Sequence, residues 1–148
     1  MRVEREIVLP TVPADAWAIL TDWERQSSWM RDADRIVVTS ATREGAGTTV
    51  EVRTRVLHVP LFTERLEVVA WDPPHELRMA HRSFIRGVGT WSLRPVGAGT
   101  RFHWSEEISL PVPVLGEIAL VAYRPFMRHL MGAAQRHLQA LVGSEGRR

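Results

Sequence analysis

The sequence predicts an α+β fold: a curved antiparallel sheet of about seven strands wrapped around one long C-terminal helix, with two short helices after the first strand. Three observations predict it. From Ile36 to Pro111 apolar and polar residues alternate with the period of a strand, interrupted only by short turn signals. Beyond Pro113 the period becomes helical and stays so to Leu141. Strands joined by short turns must pair antiparallel, and the amphipathic helix has only the concave face of that sheet to cover. A curved sheet gripping one helix is hard to fill, so a cavity between them is the natural consequence.

Each element follows in order. Val3, Arg5, Ile7 and Leu9 share one face of a first strand that Pro10 closes, with Glu4, Glu6 and Val8 on the other. In "VPADAWAILTDW", Pro13 suits a first helical turn, Asp15 complements the helix dipole, and Ala16, Trp17, Ile19 and Leu20 recur at helical spacing. A second short helix is expected over Arg25–Met30, carrying Trp29 inward. Strands follow over Ile36–Ala41 and Thr48–Val56, separated by the turn "REGAGT". "LHVPLF" forms a hairpin, Thr63–Trp71 a strand, and "DPP" ends it because proline cannot continue a ladder. Glu76–His81, Gly87–Leu93 and a strand after the Gly97–Thr100 turn complete the sheet. In the final helix Leu120, Tyr123, Met127, Leu130, Ala134, Leu138 and Leu141 form one apolar stripe. Pro125 lies within it, which predicts a kink there or a helix that becomes regular only beyond it.

Bulk composition narrows the function classes. A chain of 148 residues with 45% hydrophobic content reads as one domain over residues 1–148, able to bury roughly 68 to 70% of its unfolded surface. All 19 basic residues are arginine, nearly balanced by 17 acidic residues. They are scattered from Arg2 to Arg148 beside Asp and Glu, which argues against nucleic acid as a partner. Without cysteine there is no disulfide framework and no thiolate chemistry. No H-E-x-x-H motif or tight His/Asp cluster points to a metal, and no Gly-rich turn between a strand and a helix points to a phosphate. A nucleophile-elbow serine is also missing. "MRVEREIVLP" is unlike a signal peptide, and no apolar run approaches the ~20 residues of a membrane span. The expectation is a cytoplasmic protein without stable membrane insertion and without a cofactor, as a monomer or a homodimer.

Four segments carry a resemblance: "VPADAWAILTDWERQSSWM", "VVAWDPPHELRM", "GVGTWSLRPVGAGTRF" and the closing helix with "HLQALV". At these spacings, over nearly the whole chain, the sequence resembles the START-like superfamily. That superfamily has the helix-grip fold and includes polyketide cyclases and dehydratases, birch-pollen-allergen-type proteins and lipid-transfer domains. The resemblance implies the fold and a cavity. It carries no catalytic signature, because the superfamily uses one frame for carriers, receptors and enzymes.

Strand alternation places four polar residues on the face of the core: Thr54, Glu64, His81 and Glu106. Glu106 falls in line with Phe102, Trp104, Ile108 and Leu110, where an unpaired charge is costly. A bulge near Ser105 would instead turn Glu107 inward. A carboxylate among Trp and Phe has a raised pKa, and with His81 beside it one group holds a proton while the other takes it. That pairing suits aldol cyclisation or dehydration, with His81 and Glu106 as acid and base. Alternatively Glu106 pairs with an arginine or with His81 for structural reasons, or sits at a wet pocket mouth. Tyr123 and Met127 on the helix stripe, and Trp29, Trp91 and Trp104, are candidate ligand contacts; ordinary core packing explains the same residues. His58 and His75 fall in turns, His103 faces outward, and His129 and His137 lie beside the stripe.

The expected function is binding or transport of a small hydrophobic molecule, lipid-like or aromatic, between the helix and the sheet. The alternative is a cofactor-independent polyketide cyclase or dehydratase. A third possibility is a partner-protein module of the co-chaperone kind, which needs an exposed apolar patch rather than a cavity.

Overall fold

A computed structural model describes residues 1–56 and 59–145. Strand β1 (Arg2–Leu9) is followed by helix α1 (Pro13–Leu20) and a 3₁₀ segment (Trp23–Ser28). Strands β2 (Ala33–Val38), β3 (Thr49–Val56), β4 (Val59–Asp72), β5 (Glu76–Arg82), β6 (Arg86–Val96) and β7 (Gly99–Ser109) then lead to helix α2 (Leu115–Glu145). The strands form one antiparallel sheet in the order β1-β7-β6-β5-β4-β3-β2. Each strand from β2 to β7 thus pairs with its chain neighbour. Only β1 is recruited from afar, onto β7. This is the α+β helix-grip architecture expected from the sequence, with α2 packed across β1 and β7.

The second short helix begins earlier and winds tighter than its helical reading. Trp23, Gln26 and Trp29 are all buried, and a three-residue repeat of buried side chains is the 3₁₀ period rather than the α period. Two bonds fix it: Trp23 Nε1 donates to the Arg43 carbonyl at 2.9 Å and Gln26 Nε2 to the Leu20 carbonyl at 2.8 Å. Strand β2 starts and ends three residues before the expected Ile36–Ala41. Ser40 is lost to it because its Oγ donates to the Thr42 carbonyl and accepts from the Thr49 N–H, a local turn that outcompetes the ladder. Strand β4 is longer than Thr63–Trp71 because Val59 to Phe62 already pair with β3. Of the "LHVPLF" hairpin, residues 57 and 58 lie outside the described residues, and with them His58.

Helix α2 runs through Pro125 without a break, so a helix that becomes regular only beyond it does not occur. The proline removes the bond to the Val121 carbonyl, and both residues are exposed where water can take that bond's place. Of the expected stripe Leu120, Ala134 and Leu138 are buried, Met127, Leu130 and Leu141 half-buried and Tyr123 exposed, and in the second half of the helix Met131 and Val142 are buried beside it. In the first half Leu115, Ile118 and Val121 are exposed. Two glutamines one turn apart tie α2 to β1: Gln135 Nε2 donates to the Arg5 carbonyl at 3.2 Å and Gln139 Nε2 to that of Val8 at 2.8 Å. Gly132 sits where they meet, and a Cβ there would lie 2.6 Å from the Arg5 guanidinium, which would have to move aside.

The core holds five of the six tryptophans outright. Trp17 meets Trp71 edge-on with ring centroids 5.1 Å apart, while Trp29, Trp91, Phe102 and Trp104 form a second cluster of mostly edge-to-face pairs. That geometry adds roughly 0.5–1.5 kcal/mol per pair to the burial of the rings. No described helix is long and apolar enough to cross a membrane.

Candidate functional site

Strand β7 is buried at Thr100, Phe102, Trp104, Glu106 and Ile108 and open at the residues between them. Its register with β1 and β6 is continuous, so there is no bulge at Ser105. Glu106 therefore faces inward with 7% of its surface exposed, and Glu107 is exposed. The opposing residue on β6 is Gly89. A Cβ there would lie 2.6 Å from Glu106 Oε1 and 2.8 Å from Oε2, so the glycine is the notch into which the carboxylate folds back.

Glu106 is paired on both oxygens. Trp104 Nε1 donates to Oε1 at 2.8 Å, and His81 Nε2 bonds Oε2 at 2.9 Å. The other ring nitrogen, Nδ1, bonds Glu64 Oε1. One row thus runs across the sheet, Glu64 from β4, His81 from β5 and Glu106 from β7 reaching across β6. Burial alone would push the imidazole toward neutrality; the hydrogen bonds and charges of Glu106 and Glu64 outweigh it and hold its pKa at about 10. At neutral pH His81 is an imidazolium clamped between two carboxylates. This answers how β7 tolerates a buried acid: Glu106 has a cation and an indole N–H as partners.

The row forms one wall of a cavity of about 170 Å³ between the sheet and α2. Thr54, Glu64, His81, Trp91, Trp104, Glu106, Tyr123 and Met127 all line it, so eight of the nine candidate residues come together. Trp29 does not. It lies behind Trp91 and Trp104, fully buried, and its indole N–H has no partner among the described residues. The remaining walls are largely apolar, from Leu66, Leu77, Met79, Ile85, Ile108 and Leu130. Phe62 and Tyr123 line the cavity yet are 43% and 38% exposed, which puts its mouth between β4 and α2.

Two polar lining residues escaped the sequence reading. Gln26 sits in the 3₁₀ segment, and Asp32 in the turn before β2, where no period assigns a face. Burial pushes the Asp32 carboxyl up, against a bond from its own backbone N–H and reinforced by the charge of Glu64. Burial and the charges of Asp32 and Glu64 raise Tyr123, and all three groups line the same cavity. His103 faces outward near Glu4, and His129 is exposed. Among the described residues no group of three His, Asp or Glu side chains has metal-binding geometry.

Comparison with known proteins matches residues 1–143 to the family described as polyketide cyclase / dehydrase and lipid transport. The chain belongs to that family. No curated protein matches it in sequence. Among solved structures, TTHA0849 from Thermus thermophilus superposes with a TM-score of 0.80 at 21% identity, over 98% of this chain and 99% of that one. The di-domain ARO/CYC StfQ from the steffimycin biosynthetic pathway gives 0.78 at 15% identity, over 98% of this chain and 51% of its own length. A Thalictrum flavum norcoclaurine synthase point mutant in complex with a transition-state analogue gives 0.73 at 13% identity, over 99% and 96%. At such identities the likeness is one of fold. Family membership brings the helix-grip frame and its ligand-binding or cyclase repertoire; the charged row has to be read from this chain's own residues.

Proposed function

We propose that this protein binds a small, mainly hydrophobic molecule in the cavity between α2 and the sheet, oriented by its polar end on the Glu64–His81–Glu106 row. The observation that carries the reading is the cavity itself: apolar on most sides, polar along one line, and open at Tyr123. Its volume is close to that of the engineered cavity of about 150 Å³ that takes up benzene, so one ring with a short chain fits it. Apolar contact supplies affinity and the row supplies direction.

The test is to fill the cavity. Ala33 is buried and lines it, and Ala33→Leu adds three carbons. Titration with 3-phenylpropan-1-ol is read by the fluorescence of Trp91 and Trp104, which line the cavity. The wild type should saturate, while Ala33→Leu, with an unchanged circular dichroism spectrum, should not. Equal binding by both proteins would refute the site.

One observation favours a second reading, a cofactor-independent cyclase or dehydratase. Both ring nitrogens of His81 and both oxygens of Glu106 are engaged, but Glu64 lines the cavity and bonds His81 through Oε1 alone. Its Oε2 is then the group placed to accept a proton from a bound carbonyl compound, with the imidazolium stabilising the carboxylate. Turnover of such a compound should vanish in Glu64→Gln; unchanged turnover would exclude the role.

A further inference from the structure

The charges that face the cavity do not balance. Its titratable lining groups are Asp32, Glu64, His81, Glu106 and Tyr123, and none of the described arginines is among the lining residues. Arginines are drawn outward instead: Arg25 to Glu145, Arg43 to Glu24, Arg82 to Glu67, Arg101 to Glu6 and Arg55 to Asp34. His81 supplies one positive charge to the two carboxylates that hold it, which leaves one negative charge over. Asp32 adds a further acidic group beside Glu64, and among the described residues no side chain bonds either Asp32 or the second oxygen of Glu64. An unbalanced negative charge in an apolar cavity is a cost that a cation entering the cavity removes.

We propose that the ligand is a hydrophobic ammonium compound, its cation placed beside Asp32 and Glu64 and its apolar body against Trp91, Trp104 and the methionines. This inference rests on the cavity being the ligand site. Two separate observations support it: a largely apolar space of one-ring size, and a lining with three carboxyl groups against one imidazole. The same arrangement repels fatty acids, organic phosphates and other anions, because each would bring a negative charge against Glu64 and Asp32 without a free cation to meet it. Neutral compounds gain the apolar contact but leave the imbalance in place. The aromatic wall adds to the preference, since an ammonium within reach of an indole ring is attracted by its quadrupole.

The test uses three compounds of equal carbon count that differ only in their polar end: 3-phenylpropylamine, 3-phenylpropan-1-ol and 3-phenylpropionate. Each is titrated into the whole protein at pH 7.5 and low salt by isothermal calorimetry. The amine should bind roughly tenfold or more tighter than the alcohol, a tenfold step being 1.4 kcal/mol, and the carboxylate weakest of all. Glu64→Gln should abolish the amine's advantage over the alcohol, the two affinities being compared within the same variant; Asp32→Asn serves if that variant does not fold. If the alcohol or the carboxylate binds as tightly as the amine, the charge proposal falls and the cavity reading stands. If none of the three binds, both fall.

Discussion

Gly89→Ala is the smallest change that tests the geometry of the charged row. The added Cβ would lie 2.6, 2.8 and 2.9 Å from Oε1, Oε2 and Cδ of Glu106, all well inside the distance at which contacts turn favourable, about 3.5 Å. The backbone of β6 is fixed by pairing to β5 and β7, so the carboxylate has to yield by most of an ångström. Its bonds to Trp104 Nε1 at 2.8 Å and His81 Nε2 at 2.9 Å then stretch past bonding range together. Hydrogen bonds to a charged group contribute roughly 1.5–3 kcal/mol each. Allowing water from the cavity to replace part of the loss, the variant should be about 2–4 kcal/mol less stable, or roughly 5–15 °C lower in Tm for a chain of this size. The same displacement removes the larger of the two carboxylate contributions to His81, so its titration midpoint should move down from about 10. Differential scanning calorimetry reads the first effect and side-chain nitrogen NMR of His81 the second. Wild-type Tm together with an unmoved His81 midpoint would refute the notch.

Other consequences follow from the same geometry. Because the folded-state pKa of His81 is raised from 6.5 to about 10, its stabilisation is complete below pH 6.5 and drains away as pH rises to 10; Tm of the wild type should therefore fall relative to His81→Gln across that window, and parallel curves would contradict the ion row. Trp104→Phe keeps an aromatic ring but loses the indole N–H to Glu106, and should cost about 1.5–3 kcal/mol in chemical denaturation, against no change if that bond is incidental. Gly87 has φ of +130°, and a Cβ there would sit 1.9 Å from the Glu107 carbonyl oxygen, so Gly87→Ala should lower Tm more than any surface glycine change, Gly97→Ala included. Pro125→Ala restores a missing bond in the exposed first half of α2 and should raise Tm, by up to the ~3 kcal/mol that a proline costs inside a helix.

Much of this was legible in the sequence because alternation is a local signal. Phe102, Trp104, Glu106 and Ile108 declare the inner face of β7 without reference to any other strand, and the same holds for Glu64 before Leu66 and Val68. What alternation cannot give is register. His81 meets Glu64 and Glu106 only because Leu66 pairs with His81 and Gly89 with Glu106, and those pairings depend on the lengths of three hairpins. The clamp on both ring nitrogens was therefore invisible, as was the part Gly89 plays in making room. Asp32 was missed for a different reason: a turn residue has no period. Trp29 reads as a pocket residue because an inward tryptophan beside a cavity and one behind it look alike in a sequence. The 3₁₀ winding of Trp23–Ser28 places it in the second layer.

The claim on which the rest depends is that the space between α2 and the sheet takes up a ligand, and the methionines report on it directly. Of the chain's five methionines, Met30, Met79, Met127 and Met131 line the cavity and Met1 does not. In a carbon-proton methyl spectrum of protein labelled at methionine, adding 3-phenylpropylamine should move those four resonances together to a common saturation point and leave Met1 in place. Four unmoved resonances at saturating amine and alcohol alike, or a shift confined to Met1, would contradict the account.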